Sequence, residues 1–189
     1  MINDIENNNY DLVIVNQQYW SASNLKTTKF RNGEPIKHAV SIEEWEYCGK
    51  NYIPAWCYYN SDPENASNFG LLYNWFAITD GRGLCPPNTH IPSKEEFEEL
   101  LKSLKTNKSN LLNYFNSKSG YRAGKKNRMN DKGEFFALLE YSLFWSNTQF
   151  DFEHKAWGFS INEQRETLGL SHGLKGMGLS VRFIKDNIK

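Results

Sequence analysis

The sequence predicts an α+β fold, with two main helices in the N-terminal half and a twisted antiparallel sheet with long loops in the C-terminal half. Helical periodicity and capping signals occur in the first part of the chain, whereas short aromatic or β-branched runs between glycines follow residue 117. Because helices and strands are segregated along the chain, a βαβ architecture is not expected. No repeat or low-complexity linker divides the 189 residues, so we expect one domain over residues 11–189.

Two capping boxes predict where the main helices begin. Ser41 precedes Glu44 by three residues, and Ser93 precedes Glu96 by three residues. After Ser93 an apolar stripe at helical spacing predicts a helix that packs on the core. The stripe consists of Phe97, Leu100, Leu101 and Leu104. A further buried helix is expected over residues 68–78.

The remaining segments are expected to be an arm, strands and connections. Residues 1–10 contain three consecutive asparagines and few apolar side chains, which predicts a mobile arm that buries nothing. Residues 12–15 are typical of a first strand. The strands expected in the second half lie near residues 135–139, 143–145, 156–161, 166–170 and 179–184. The glycine-rich segment 169–178 is expected to be a flexible connection between two strands.

Composition argues against several classes of function. Lys and Arg total 22 and so do Asp and Glu, so the chain lacks the positive surplus of a general nucleic-acid binder. No apolar run approaches 18 residues, so no membrane span is expected. The acidic start has no secretory signal pattern, which predicts a cytoplasmic location if the chain is complete. Aromatic residues make up 15% of the chain, which predicts a core built from rings.

The cysteines and histidines do not form a site pattern. Three cysteines leave at least one thiol free, and the four histidines are scattered without the spacing of zinc ligands. Cys85 and His90 could form a nucleophile and base, but a buried structural cysteine and a histidine that fixes the turn before Ser93 are the favoured interpretations. No metal and no cofactor are predicted.

Ordered blocks over roughly residues 13–186 resemble the Fibrobacter succinogenes major paralogous domain family. In the first half the blocks are WSASNLKTTKF, NGEPI, PAWCYYN, GLLYNWFA and LCPPNTHIPS. In the second half they are GYR, LFWSNT, AW and GLSVRFIKD. Several blocks in the same order make the resemblance specific.

The resemblance implies a C-type-lectin-like fold related to formylglycine-generating enzymes, in which long loops carry function. Formylglycine-generating activity is not expected, because those enzymes use cysteines in the C-terminal half and this chain has none after Cys85. Trp145-Ser146-Asn147 has the outline of a lectin calcium triplet but lacks its Asp, so calcium-dependent sugar binding is not expected either. Many relatives look secreted or lipid-anchored, and the family's activity is not established.

No catalytic constellation stands out, so the sequence favours a non-catalytic binding module for a protein or glycan partner. The candidate contacts are Trp145, Trp157, Arg165, His172 and Lys175. An enzyme of unrecorded type remains an alternative, and His154, Glu163 or Asp151 converging in a cleft would favour it. A structural surface protein and a diversified receptor are further alternatives. The oligomeric state is left open.

Overall fold

The fold combines four α-helices with five small sheets in the part of the chain that our computed structural model describes, which is residues 1–106, 115, 119–123, 134–162 and 167–186. The helices are α1 (Ile42–Lys50), α2 (Asn65–Phe69), α3 (Trp75–Ile78) and α4 (Lys94–Thr106). A 3-10 turn covers Tyr59–Ser61. The α+β class is confirmed, but α4 extends past the middle of the chain, so the helices are not confined to the N-terminal half. None of these helices is long and apolar enough to cross a membrane.

Both predicted capping boxes are present. The amide of Glu44 donates to Ser41 Oγ at 3.1 Å, and the Glu44 carboxylate accepts from the Ser41 amide. The amide of Glu96 donates to Ser93 Oγ at 3.2 Å, and the Glu96 carboxylate accepts from the Ser93 amide at 2.8 Å. These bonds satisfy amides that have no partner inside a helix, which explains why α1 and α4 begin where they do.

The described strands of the first half span two to four residues, whereas three of those in the second half span eight residues each. Those of the first half are β1 (Ile2–Asn3), β2 (Asn9–Tyr10), β3 (Leu12–Val15), β4 (Gln18–Ser21), β5 (Lys37–His38), β6 (Ala55–Cys57), β7 (Leu72–Tyr73) and β8 (Thr89–His90). Those of the second half are β9 (Ser119–Arg122), β10 (Phe135–Leu138), β11 (Ser142–Gln149), β12 (Lys155–Asn162), β13 (Thr167–Leu174) and β14 (Ile184–Lys185).

Strand pairing corrects the expectation of one C-terminal antiparallel sheet. The strand orders are β1-β2, β3-β4-β14-β8, β5-β6-β7, β10-β9 and β11-β12-β13. The last strand, β14, pairs antiparallel with β4 and β8 from the first half. The β5–β6 pair is parallel. Backbone groups from the two ends of the chain thus satisfy one another, and this non-local pairing leaves no signal in the local sequence.

Helix α4 packs on the three-stranded sheet β11-β12-β13. Phe97, Leu100 and Leu104 are buried and Leu101 is partly buried, as the apolar stripe predicts. The ring of Phe97 stacks on that of Phe159 in β12, with a centroid distance of 5.1 Å. Other side chains of the sheet, among them Trp145 and Ala156, belong to a separate cluster of buried residues. Apolar packing on both sides fixes the position of the sheet.

Local expectations are wrong at two segments of the first half. Residues 68–78 form the end of α2, β7 and α3 instead of one helix, because Gly70 at φ 71° ends α2 and Asn74 caps α3. Residues 1–10 do bury side chains: Tyr10 is fully buried, and its hydroxyl donates to Asp4 at 2.7 Å. The domain boundary at residue 11 stays a prediction.

Candidate functional site

Four rings gather at the tip of the hairpin between β11 and β12. Phe150 packs edge-on against Trp157 with a centroid distance of 4.7 Å and lies 4.3 Å from the ring of His172. Phe152 follows at 6.0 Å from Phe150. We call Phe150, Phe152, Trp157 and His172 the aromatic patch. Strand register helps to create it, because Trp157 and His172 are direct partners on β12 and β13.

The aromatic patch is exposed to solvent in part, and lysine ammonium groups lie over its rings. Phe152 is 59% exposed, and His172 is also exposed. The ammonium of Lys155 lies 5.7 Å from the ring centre of Phe152, and that of Lys94 lies 5.0 Å from the ring centre of Trp157. Single exposed rings need no explanation, whereas a cluster of exposed rings is a candidate binding surface.

A cleft of ≈ 470 Å³ lies beside the same hairpin tip. It is lined by Glu46, Gly49, Lys50, Tyr52, Phe76, His154, Leu174, Lys175 and Gly176. A second depression shares four of these residues and adds Glu153, so the two form one concave surface, which we call the cleft. The ring of His154 lies 6.2 Å from that of Phe152, which links the cleft to the aromatic patch.

Lys175 is the most buried charged side chain of the cleft. It is 8% exposed, and its ammonium donates to Gln149 Oε1 at 2.8 Å. The same ammonium lies 4.3 Å from the ring centre of Trp75. Burial lowers the pKa of Lys175, and the negative charge of Glu153 opposes that shift. The cleft therefore offers a fixed donor, with the carboxylates of Glu46 and Glu153 as acceptors nearby.

The structure separates the five residues that the sequence proposes as contacts. Trp157 and His172 lie together in the aromatic patch, with ring centroids 6.3 Å apart, and Lys175 lines the cleft. The expectation that Trp145 is a surface contact is wrong, because its ring is fully buried and its Nε1 donates to the carbonyl of Tyr73 at 2.8 Å. Arg165 lies outside the described residues.

Sequence reasoning missed Phe150 and Phe152. A signal existed, since two phenylalanines flank Asp151 in a hairpin tip where turn-forming polar residues are the usual choice. The expectation for the glycine-rich segment 169–178 also obscured this site. Residues 169–174 belong to β13 and only the turn after it is irregular, so the expected flexible connection is wrong and His172 is held on a strand.

The three thiols are shielded from solvent, and the pKa of each is raised. All three cysteines are buried and unbridged. Burial raises the pKa of Cys57 to about 11 and that of Cys85 to about 12, so both are protonated thiols near neutral pH. The predicted burial of Cys85 is confirmed. Within the described residues, no group of three or more His, Cys, Asp or Glu is arranged to hold a metal ion.

His90 holds a turn, as the sequence predicts. Its Nε2 pairs with Glu96 Oε1 at 2.8 Å, and its Nδ1 pairs with the Asp186 carboxylate. These two hydrogen bonds join the start of α4 to the end of β14. The bond to Glu96 is the main cause that raises the pKa of His90 to about 9, and Asp186 adds to it. His90 is therefore a protonated link and not a base for Cys85.

Comparison with known families adds one decisive observation. The family model of the Fibrobacter succinogenes major domain matches residues 13–185. The chain belongs to that family. No curated protein and no solved structure matches the chain.

In this member of the Fibrobacter succinogenes major domain family, characteristic motif residues build the scaffold. Trp20 and Tyr73 are fully buried. Arg122 of the GYR motif donates to the carbonyls of Ala39 at 3.0 Å and Ser41 at 2.9 Å, which ties β9 to the start of α1. Phe150, Phe152 and His172 fall between the motif blocks. The shared motifs thus account for the platform, and the aromatic patch is largely built by segments outside them.

Proposed function

We propose that this protein is a non-catalytic module that binds a glycan at the aromatic patch and the adjoining cleft. The observation that carries the proposal is the cluster of Phe150, Phe152, Trp157 and His172, whose rings pack on one another at a solvent-exposed hairpin tip. Binding sites commonly combine aromatic walls with a few polar groups that fix orientation, and both are present here.

The chemistry of the cleft suits a polyhydroxylated ligand. A sugar presents apolar C–H faces that stack on rings, and hydroxyls that both donate and accept hydrogen bonds. The ammonium of Lys175 can donate to such hydroxyls, and the carboxylates of Glu46 and Glu153 can accept from them. Positively and negatively charged side chains both line the cleft, which favours a neutral glycan over a strongly charged polymer.

The architecture supports a finer proposal about the fold. We infer that the chain has a C-type-lectin-like arrangement, with its two ends joined in one sheet and a long segment in between forming the binding surface. Pairing of β14 with β4 joins the ends, and β11-β12-β13 with its hairpin tip supplies the surface. In such an arrangement the core fixes the sheet and the hairpin tip is free to vary.

A second candidate function is an enzyme, because His154, Glu153 and Lys175 line one concave surface. Lys175 has its pKa lowered by burial, which is a common feature of reactive lysines. Its ammonium, however, donates to Gln149, and among the described contacts no hydrogen bond joins the side chain of His154 to that of Glu153 or Lys175. Recovery of the glycan unchanged after incubation with the protein supports the binding function. Release of shortened sugars or of a new reducing end supports catalysis.

The experiment is a printed array of neutral and acidic oligosaccharides, followed by calorimetric titration of the best hit. Trp157→Ala is expected to weaken binding about fivefold or more, because loss of one stacked ring costs roughly 1 kcal/mol. Tyr19→Ala is the matched control, since Tyr19 is a 40% exposed ring on β4 outside the aromatic patch. Equal affinity of both variants, or a protein ligand in place of any sugar, contradicts the proposal.

A further inference from the structure

Among the described strands, β13 is an edge strand of its sheet. The strand order β11-β12-β13 places β12 on one side of β13 and no described strand on the other. The opposite edge, β11, is not open, because the amide of Trp145 donates to the carbonyl of Ser180 at 3.1 Å and the amide of Ser180 donates to Leu143. An exposed edge strand offers a row of backbone donors and acceptors to another strand.

The register identifies which backbone groups point outward. The amide of Lys175 donates to the carbonyl of His154 at 3.0 Å just beyond the β12–β13 ladder. In an antiparallel pair, hydrogen-bonded partners alternate with non-hydrogen-bonded ones. Gly169, Ser171 and Gly173 therefore bond to β12, and Leu168, Leu170 and His172 direct their amides and carbonyls away from it. No other described residue makes a hydrogen bond to the backbone of these three.

The edge lacks the usual protection against pairing. Residues 167–174 read TLGLSHGL, which contains no lysine, no acidic side chain and no proline. Natural proteins commonly block an exposed edge with one of these, or shorten the strand. At eight residues, β13 is as long as β11 and β12 and longer than the other strands described. An uncharged edge of this length is chemically suited to pair with an equally uncharged strand.

We propose that two copies of this chain pair through β13, in antiparallel orientation about a two-fold axis at Leu170. In this register Leu170 lies opposite the second copy's Leu170, and Leu168 lies opposite the second copy's His172. The three outward-facing residues then exchange about six backbone hydrogen bonds, because each hydrogen-bonded antiparallel pair contributes two. The formal net charge of zero means that no overall repulsion opposes the contact between copies.

The dimer would join two binding surfaces. Two three-stranded sheets become one six-stranded sheet, and His172 belongs both to the outward-facing set and to the aromatic patch. Each copy therefore brings its own patch to the shared sheet, which suits a ligand with repeating units, since the second contact becomes intramolecular. The pairing itself does not depend on what the patches bind, so it goes beyond the proposed function.

Hydrogen exchange on the unmodified protein tests the pairing directly. Exchange is measured by NMR or mass spectrometry at low micromolar and at several hundred micromolar protein. The amides of Leu168, Leu170 and His172 are expected to gain at least about tenfold protection at the higher concentration, because pairing masks them. The amides of Gly169 and Ser171 should be protected at both concentrations. Fast exchange of the three outward amides at both concentrations overturns the proposal.

Two variants of His172 separate the contribution of its backbone amide from that of its side chain. His172→Pro removes one outward amide without removing a bond to β12, and is expected to shift the protein to monomer in sedimentation equilibrium. His172→Ala keeps the amide and removes the ring, and is expected to remain dimeric. A wild-type protein that stays monomeric at several hundred micromolar overturns the proposal, even if a foreign peptide then protects the same amides.

Discussion

Trp145 and Trp157 lie on adjacent strands of one sheet, yet they belong to different parts of the molecule. The ring of Trp145 is fully buried and donates to the carbonyl of Tyr73. The ring of Trp157 is only partly buried and packs against Phe150 at the hairpin tip. The difference shows that one sheet serves both as the wall of the core and as the support for the aromatic patch.

The largest expected effect is the loss of stability on removing the buried ring of Trp145. Trp145→Ala should lower the free energy of unfolding by about 3–5 kcal/mol, because it leaves a cavity in the core and removes one of the two hydrogen bonds that the Tyr73 carbonyl accepts. Urea denaturation measures the loss. Trp157→Ala should cost less than half as much, since part of its ring already contacts water. Similar losses for the two variants would contradict the assignment of Trp145 to the scaffold.

A pair of glycines sharpens the comparison within the same sheet. Gly158 lies opposite Trp145, and a Cβ at Gly158 would meet the carbonyl oxygen of Phe144 at 2.6 Å. Gly158→Ala should therefore destabilise the protein by about 1–3 kcal/mol. A Cβ at Gly169 would meet nothing within 4 Å, so Gly169→Ala should be neutral or stabilise by up to about 1 kcal/mol. Thermal unfolding of the two variants should show opposite or clearly unequal shifts.

The smallest expected effect concerns pH and lies away from the hairpin tip. The pKa of His90 is raised to about 9 by Glu96 and Asp186, so the folded state favours its protonated form. Its contribution to stability is fully present below the ordinary histidine pKa of about 6.5 and is lost as pH rises through about 9. Because the side chains are partly exposed, we expect a contribution of about 1 kcal/mol or less.

The variant His90→Gln provides the control for this pH effect. Its unfolding free energy should differ from that of the wild type at pH 6 and approach it by pH 10, measured by urea denaturation across that range. Binding at the aromatic patch should not depend on the protonation of His90, since the described hydrogen bonds of its ring go to Glu96 and Asp186, outside the patch. A stability difference that grows between pH 6 and pH 10 would show that the assigned protonation state is wrong.

Local patterns in the sequence predicted some elements well. The capping boxes at Ser41 and Ser93 and the apolar stripe from Phe97 to Leu104 are confirmed, because their signals lie within a few residues of one another. The pairing of β14 with β4 could not be predicted, since it joins residues more than 160 positions apart. The buried end of the arm at Tyr10 depends on a hydroxyl that reaches Asp4, which composition does not reveal.

The candidate site was only partly predictable for a similar reason. Trp157 stands out in the sequence as a ring, and His172 and Lys175 stand out as a ring and a charge in the glycine-rich segment. Trp157 and His172 do lie together in the structure. Trp145 is equally prominent in the sequence but faces the core, because the direction of a strand side chain is set by register. The cleft requires Tyr52 and Phe76 from distant segments, so it becomes visible only in three dimensions.

The most direct test of the account follows the indole N–H resonances of the six tryptophans during titration with the best oligosaccharide from the array. The account predicts that the resonance of Trp157 moves with ligand concentration while that of Trp145 stays fixed, with the sugar recovered unchanged. A shift at Trp145 without one at Trp157, or conversion of the sugar into products, would contradict it.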